Sequence, residues 1–130
     1  MIKSFEDLEV WKLGVEIVRN VYLLVASFPK EEIFGITSQL KDSVISNPGN
    51  IAEGFGRFHY KDKIKFYYNS RGSLLETKSH LLIANALGFI TPKYRELYNK
   101  ILADIEKEAV KLNNYIASVG RSGIITNNHK

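Results

Sequence analysis

Ile36-Thr37-Ser38-Gln39-Leu40-Lys41-Asp42-Ser43-Val44-Ile45-Ser46-Asn47-Pro48-Gly49-Asn50-Ile51-Ala52-Glu53-Gly54-Phe55 is the stretch that decides the fold. Ile36, Leu40 and Val44 follow helical spacing, and Ile51 and Phe55 resume it after the Asn47-Pro48-Gly49-Asn50 interruption. A proline inside a helix loses a hydrogen bond and clashes with the carbonyl four residues back, at a cost of roughly 3 kcal/mol. Two local structures compete. One is a turn followed by a new helix capped by Asn50 with Glu53 as its partner; the other is a single long helix kinked at Pro48. The apolar spacing barely drifts across the break, which favours the kinked helix and a total of four helices.

The rest of the 130-residue chain is punctuated in the same way by three prolines and nine glycines, and no stretch alternates as a half-buried strand does. A first helix is expected from Phe5 to Phe28, entered through Ser4 with Asp7 three residues on and stopped by Pro29. Leu8, Trp11, Val15, Val18, Tyr22 and Val25 form its seam, and Val10, Ile17, Val21 and Leu24 lie beside them. That stripe is wider than one pair of neighbours covers and hints at self-association. The second helix is expected to begin near Glu31. A third helix from Lys61 to Leu87 would place Ile64, Tyr68, Leu75, Leu82 and Ala86 on one face with Tyr67, Leu74 and Leu81 beside it, ending at Gly88. Thr91-Pro92 opens a fourth, whose inward side is Leu97, Ile101, Ile105, Leu112, Ile116 and Val119, closed by Gly120. Short connections force neighbours antiparallel. The expected architecture is all-α: an antiparallel up-down-up-down four-helix bundle over residues 1–120, with a mobile polar tail over 121–130.

A chain of this size buries roughly two-thirds of its unfolded surface, so one core suffices without disulfides or structural zinc. No apolar run spans a bilayer and the first residues form no signal-peptide core, so a cytoplasmic protein without a membrane partner is expected. Catalytic material is poor: there is no cysteine and no Gly-x-Ser-x-Gly, and the histidines are His59, His80 and His129. Gly54-Phe55-Gly56 lacks the third glycine and the preceding strand of a dinucleotide fingerprint. Glu76 and His80 offer half of a di-iron motif once, so a surface pair is expected and neither metal nor cofactor. The chain reads as a non-enzyme.

Two polar groupings remain. If the second and third helices fold back about His59 and Tyr60, Asn50 lies beside Asn69, Glu53 near Phe66 and Pro48 near Arg71. Asn50, Glu53, Asn69, Ser70 and Ser73 then form an interhelical hydrogen-bond network around the backbone that Pro48 disturbs. Nearby, Arg57, Lys61, Lys63, Lys65 and Arg71 against Asp62 leave +4 within fifteen residues, equal to the net charge of the whole chain. Phe55, Phe58, Tyr60, Phe66 and Tyr67 are interleaved with them. Grip on phosphates with base stacking uses this mixture; lysines scattered around a solvated helix, with aromatics filling the core, are the alternative.

Asn50-Ile51-Ala52-Glu53-Gly54-Phe55-Gly56-Arg57, followed by Gly72-Ser73-Leu74-Leu75-Glu76, resembles the four-helix-bundle proteins encoded within 23S ribosomal RNA intervening sequences. Phe5-Glu6-Asp7-Leu8, Val10-Trp11, Phe28-Pro29, Phe34-Gly35-Ile36, Gln39-Leu40 and Leu87-Gly88-Phe89-Ile90 match in order and spacing, from about Phe5 to Val119. Ser46-Asn47-Pro48-Gly49 departs from the family's usual serine, apolar residue, proline and serine. The resemblance implies a homopentamer around a central axis, in keeping with the surplus apolar face of the first helix. The chain is also similar to the accessory protein of diversity-generating retroelements, a basic pentameric barrel that binds nucleic acid. The function expected is a pentameric scaffold that binds RNA or DNA. The alternative is an adaptor that binds a protein partner without nucleic acid.

Overall fold

The computed structural model describes the backbone from Met1 to Asn128 and side chains as far as Arg121. Its helices are α1 (Glu9–Val25), α2 (Ile36–Gly56), α3 (Tyr60–Ala86) and α4 (Arg95–Asn128), with no strand among the described residues. Single 3-10 turns at Phe5–Asp7, Lys30–Glu32 and Pro92–Tyr94 precede α1, α2 and α4. Ser4 and Asp7 do form a reciprocal cap, but around the first 3-10 turn: the Glu6 amide donates to Ser4 Oγ at 3.2 Å and the Ser4 amide to Asp7 Oδ2 at 3.1 Å. Extended Leu8 then delays α1 to Glu9. Pro29 and the turn after it delay α2 to Ile36, where the Gly35 carbonyl accepts from Gln39.

α2 runs through Pro48 without interruption, so no turn separates Asn47 from Asn50. Gly88 ends α3 in the left-handed region at φ +80°. Gly120 does not end α4. It keeps a helical backbone, whose cost of about 1 kcal/mol relative to alanine is too small to stop a helix already propagating. The tail expected at 121–130 is therefore helical as far as Asn128, and residues 129–130 lie outside the described residues.

Each helix packs on its chain neighbours, α1 packs on α4, and α2 against α3 is the most extensive pairing. Hydrogen bonds set the α2–α3 register. Asn47 Nδ2 donates to Ser70 Oγ at 2.9 Å and to the Ser70 carbonyl at 3.2 Å, and Ser70 Oγ returns a bond to the Asn47 carbonyl at 2.8 Å. Toward the start of α2 and the end of α3, Ser73 Oγ next donates to Ser46 Oγ at 2.8 Å and, about one turn further, Thr77 Oγ1 donates to Ser43 Oγ at 2.9 Å. Numbers fall along α2 as they rise along α3, so the two run antiparallel. Arg71 to Asn113 and Lys78 to Glu106 show the same for α3 and α4.

This ladder corrects the expected network. Ser70 and Ser73 belong to it, and its other members are Ser43, Ser46, Asn47 and Thr77. Asn50 bonds within its own helix, to the Ser46 carbonyl and Oγ. Asn69 contributes only its carbonyl, to Ser73, and exposed Glu53 pairs with Arg57.

Burial also reassigns two faces. On α1 the core takes all four residues expected beside the seam, Val10, Ile17, Val21 and Leu24, with Gly14 and Asn20; of the expected seam, Leu8 and Val25 at its ends are buried, Trp11, Val15 and Val18 are half-buried and Tyr22 is exposed. On α3 the core is Tyr67, Ser70, Leu74, Thr77, Leu81 and Ala84; Tyr68, Leu75 and Leu82, expected inside, face solvent. Both stripes have helical spacing, and spacing alone does not say which stripe meets the bundle. Gly54 is a point of close approach: a Cβ there would lie 2.6 Å from the Tyr67 ring, so glycine lets α3 seat its tyrosine directly on α2.

Asn47→Ala leaves Ser70 without its partner and is expected to lower unfolding free energy by about 1 to 3 kcal/mol in urea denaturation. Glu53→Gln, on an exposed pair, is expected to change it by less than about 0.5 kcal/mol.

Candidate nucleic-acid interface

α2 ends at Gly56 and α3 begins at Tyr60, so Arg57, Phe58 and His59 form a short connection at one end of the bundle. Cationic side chains gather there for different reasons. Lys63 reaches back to the end of α2, where Nζ donates to the Phe55 carbonyl at 2.8 Å and the Gly54 carbonyl at 3.4 Å. It thereby satisfies carbonyls the helix leaves open, and partial burial draws its pKa down. Arg57 Nη2 meets Glu53 Oε2 at 3.2 Å and its guanidinium lies 4.7 Å from the Phe66 ring centroid. Arg71 lies 4.8 Å from the Tyr68 ring and donates to Asn113 Oδ1 at 3.0 Å. Lys61 and Lys65 are exposed and make no ion pair among the described residues.

The five cations expected from the sequence therefore fall into classes. Lys61 and Lys65 are exposed and make no ion pair among the described residues, Arg57 and Arg71 are each held by one acceptor side chain and one ring, and Lys63 is used as a helix cap. The aromatics separate as well. Tyr67 is buried, where its hydroxyl lies 3.1 Å from that of Tyr115; Phe55, Tyr60 and Phe66 are half-buried, and Phe58 is 87% exposed. Of the five, only Phe58 is largely exposed, its ring edge-on to His59 at 5.1 Å in the connection that leads into Lys61.

A second polar feature lies inside the bundle and was not anticipated. Each helix places one small or polar buried residue at a shared level: Gly14 between Val10 and Ile17, Asn47 between Val44 and Ile51, Ser70 between Tyr67 and Leu74, Glu108 between Ile105 and Leu112. These residues lie between two apolar clusters. One is centred on Ile17, Val21, Leu40, Leu81 and Ile101, the other on Leu8, Ile51, Tyr67, Leu112 and Ile116. Glu108 is fully buried, and neither carboxyl oxygen has a protein partner. Asn47 Oδ1 is likewise unpartnered. Both face Gly14, where a Cβ would sit 2.7 Å from Asn47 Oδ1 and 3.2 Å from Glu108 Oε2. Burial raises the Glu108 pKa to about 8, against a weaker opposing pull from Lys111. The signal was present in the sequence as the missing apolar residue between Ile105 and Leu112, at the position where the inward series needs one.

Glu76 and His80 pair at 3.3 Å on the surface of α3, as expected from their spacing. Among the described residues no three His, Cys, Asp or Glu side chains converge as a metal set would, and no helix is long and apolar enough to cross a membrane.

The described residues form four helices and no strand, with Gly54 seated against Tyr67, and the model of the 23S rRNA-intervening sequence protein family matches residues 6–114. The chain belongs to that family. The four-helix bundle expected for a 23S rRNA-intervening sequence protein is the one observed. Among curated proteins no match is found.

The stability of this intervening-sequence protein should fall as pH rises. Folded Glu108 holds its proton to about 8 while the unfolded side chain releases it near 4.5, so between those values the folded state binds more protons. Each pH unit in that window removes up to about 1.4 kcal/mol of stability. Urea denaturation at pH 5 and pH 8 measures the loss, and Glu108→Gln should remove most of the difference.

Proposed function

We propose that this protein is a non-enzymatic, cytoplasmic homopentamer of up-down-up-down bundles, with α2 kinked at Pro48, that binds RNA or another nucleic acid through phosphate contacts. Arg57, Lys61, Lys65 and Arg71 make those contacts, Phe58 stacks on an unpaired base, and Lys63 holds the connection in place. The observation that carries this reading is that Lys61 and Lys65 are exposed without an ion pair among the described residues, just after the exposed Phe58 ring. Phosphates recruit unpaired cations at the least cost, because no internal pair has to be broken first. Recognition of this type reads charge and stacking and is poor in sequence information.

A +4 surplus on one chain is modest, so affinity on this reading comes from repeating the patch in an assembly. Self-association is supported by the solvent face of α3, where Tyr68, Leu75, Leu82 and Ile83 are each about half-exposed or more. The same face supports the second reading, an adaptor that captures a protein partner without nucleic acid. Capture from lysate that survives nuclease treatment would favour the adaptor.

Lys61→Glu with Lys65→Glu is expected to weaken RNA binding in gel-shift titrations. The log–log salt slope should also flatten, by about 0.7 per lost phosphate contact on single strands and about 0.9 on duplex DNA. Unchanged affinity and slope would reject the assignment.

A further inference from the structure

The connection from α1 to α2 is the longest between two helices of the bundle, because Pro29 and the 3-10 turn over Lys30–Glu32 intervene before α2 begins at Ile36. It borders a cleft of about 220 Å³ whose two walls differ in chemistry. On the side of α1 and the connection stand Tyr22, Val25, Phe28 and Ile33, of which Val25 and Phe28 are buried. On the side of α2 stand Thr37 and Lys41, four residues apart and therefore on one face of that helix. Lys30 lines the cleft from the connection.

Charge in the cleft has one sign. Lys41 Nζ lies 5.0 Å from the Tyr22 ring centroid, and neither Lys30 nor Lys41 makes an ion pair among the described residues. No Asp or Glu lines the cleft, and Glu32 holds its carboxylate against Gly35 instead. Thr37 is 7% exposed, yet its hydroxyl makes no hydrogen bond among the described residues. It is the second residue of a 21-residue helix whose first turn has no side-chain cap, so the partial positive charge of that helix end lies beside it. Two ammonium groups and a hydroxyl without partners, facing hydrocarbon, are complementary to a molecule that is anionic at one end and apolar at the other. Volume sets its size. A water molecule's share of the liquid is about 30 Å³ and pockets for drug-sized ligands run from about 300 to 1,000 Å³, so the cleft has room for on the order of ten non-hydrogen atoms.

We infer that this cleft binds a compact monocarboxylate with an aromatic or branched aliphatic body. The carboxylate lies along α2, where it accepts from Thr37 Oγ1 and meets Lys41, with Lys30 reaching it from the connection. The body packs on Val25, Phe28 and Ile33. The α2–α3 connection lies at the other end of α2, about 30 Å away at 1.5 Å per residue, so Lys30 and Lys41 are no part of the basic cluster there. This site therefore stands or falls independently of nucleic-acid binding.

The test titrates the full chain with phenylacetate by saturation-transfer NMR. Acetate is the head without the body, 2-phenylethanol the body without the charge, and inorganic phosphate the plain anion. Phenylacetate is expected to saturate with a Kd below about 1 mM and to bind at least about tenfold more tightly than any of the other three. Lys30→Gln with Lys41→Gln should weaken phenylacetate about tenfold or more and leave 2-phenylethanol unchanged. Thr37→Val keeps the shape of the wall and should weaken phenylacetate by about fivefold. Circular dichroism melting confirms that each variant is folded. Phenylacetate that fails to saturate by about 10 mM would overturn the site. So would acetate or phosphate binding as tightly as phenylacetate, since the apolar wall would then be idle, and so would folded variants that bind as the unmodified chain does.

Discussion

A polar layer divides the apolar core, and the rest of the bundle is arranged around it. Asn47 and Ser70 exchange hydrogen bonds across α2 and α3 between an upper and a lower apolar cluster. A slip of one turn between these helices would replace that reciprocal pair with amide against hydrocarbon, at a cost of about 1 to 3 kcal/mol for each buried group stranded. Apolar layers alone tolerate such slips, since leucine packs on valine nearly as well as on isoleucine. The register that the ladder enforces puts Gly54 under Tyr67 and Lys63 at the end of α2, so the basic connection depends on a bond several turns away.

Glu108 shows the cost of such a layer. Its oxygens lie against Gly14, as Asn47 Oδ1 does, and have no protein donor, so an ionised carboxylate there would be an unpaired buried charge. Holding the proton is the less expensive state, which is why burial moves its titration toward neutral pH. Gly14 makes that state sterically feasible. Any side chain at position 14 would collide with Asn47 or Glu108, so the three residues are one constraint distributed over three helices.

Helix number and direction were legible because spacing, prolines and Gly88 punctuate the chain strongly. Boundaries were less so: α2 waits until Ile36 because Pro29 imposes a turn, and Gly120 passes through α4 because no left-handed residue stops it there. The basic cluster was legible as a group and not residue by residue. Five cations in fifteen residues are visible in sequence, but the capture of Lys63 by the Phe55 carbonyl depends on how tightly the connection turns. The polar network was placed in the right pair of helices and partly on the wrong residues. Fold-back arithmetic gives the level at which residues meet; it does not say which of four neighbouring rotational positions points inward, and Asn47 holds that position where Asn50 was expected.

The same ambiguity of rotation explains α3. Two apolar stripes on one helix leave little net amphipathicity, so a single chain does not announce which stripe is core; the ladder decides it by turning Ser70 and Thr77 inward. Once they are inside, Tyr68, Leu75 and Leu82 must lie outside, because residues one step further along a helix are rotated by about 100°. A seam with no charge over nineteen positions is costly to leave in water, and point charges at Leu75 or Leu82 would have removed that cost without touching the core. Along that face Tyr68, Gly72, Leu75, Ser79, Leu82 and Ala86 carry no charge, and charged residues of the same helix, Lys65, Arg71, Glu76 and Lys78, lie beside it.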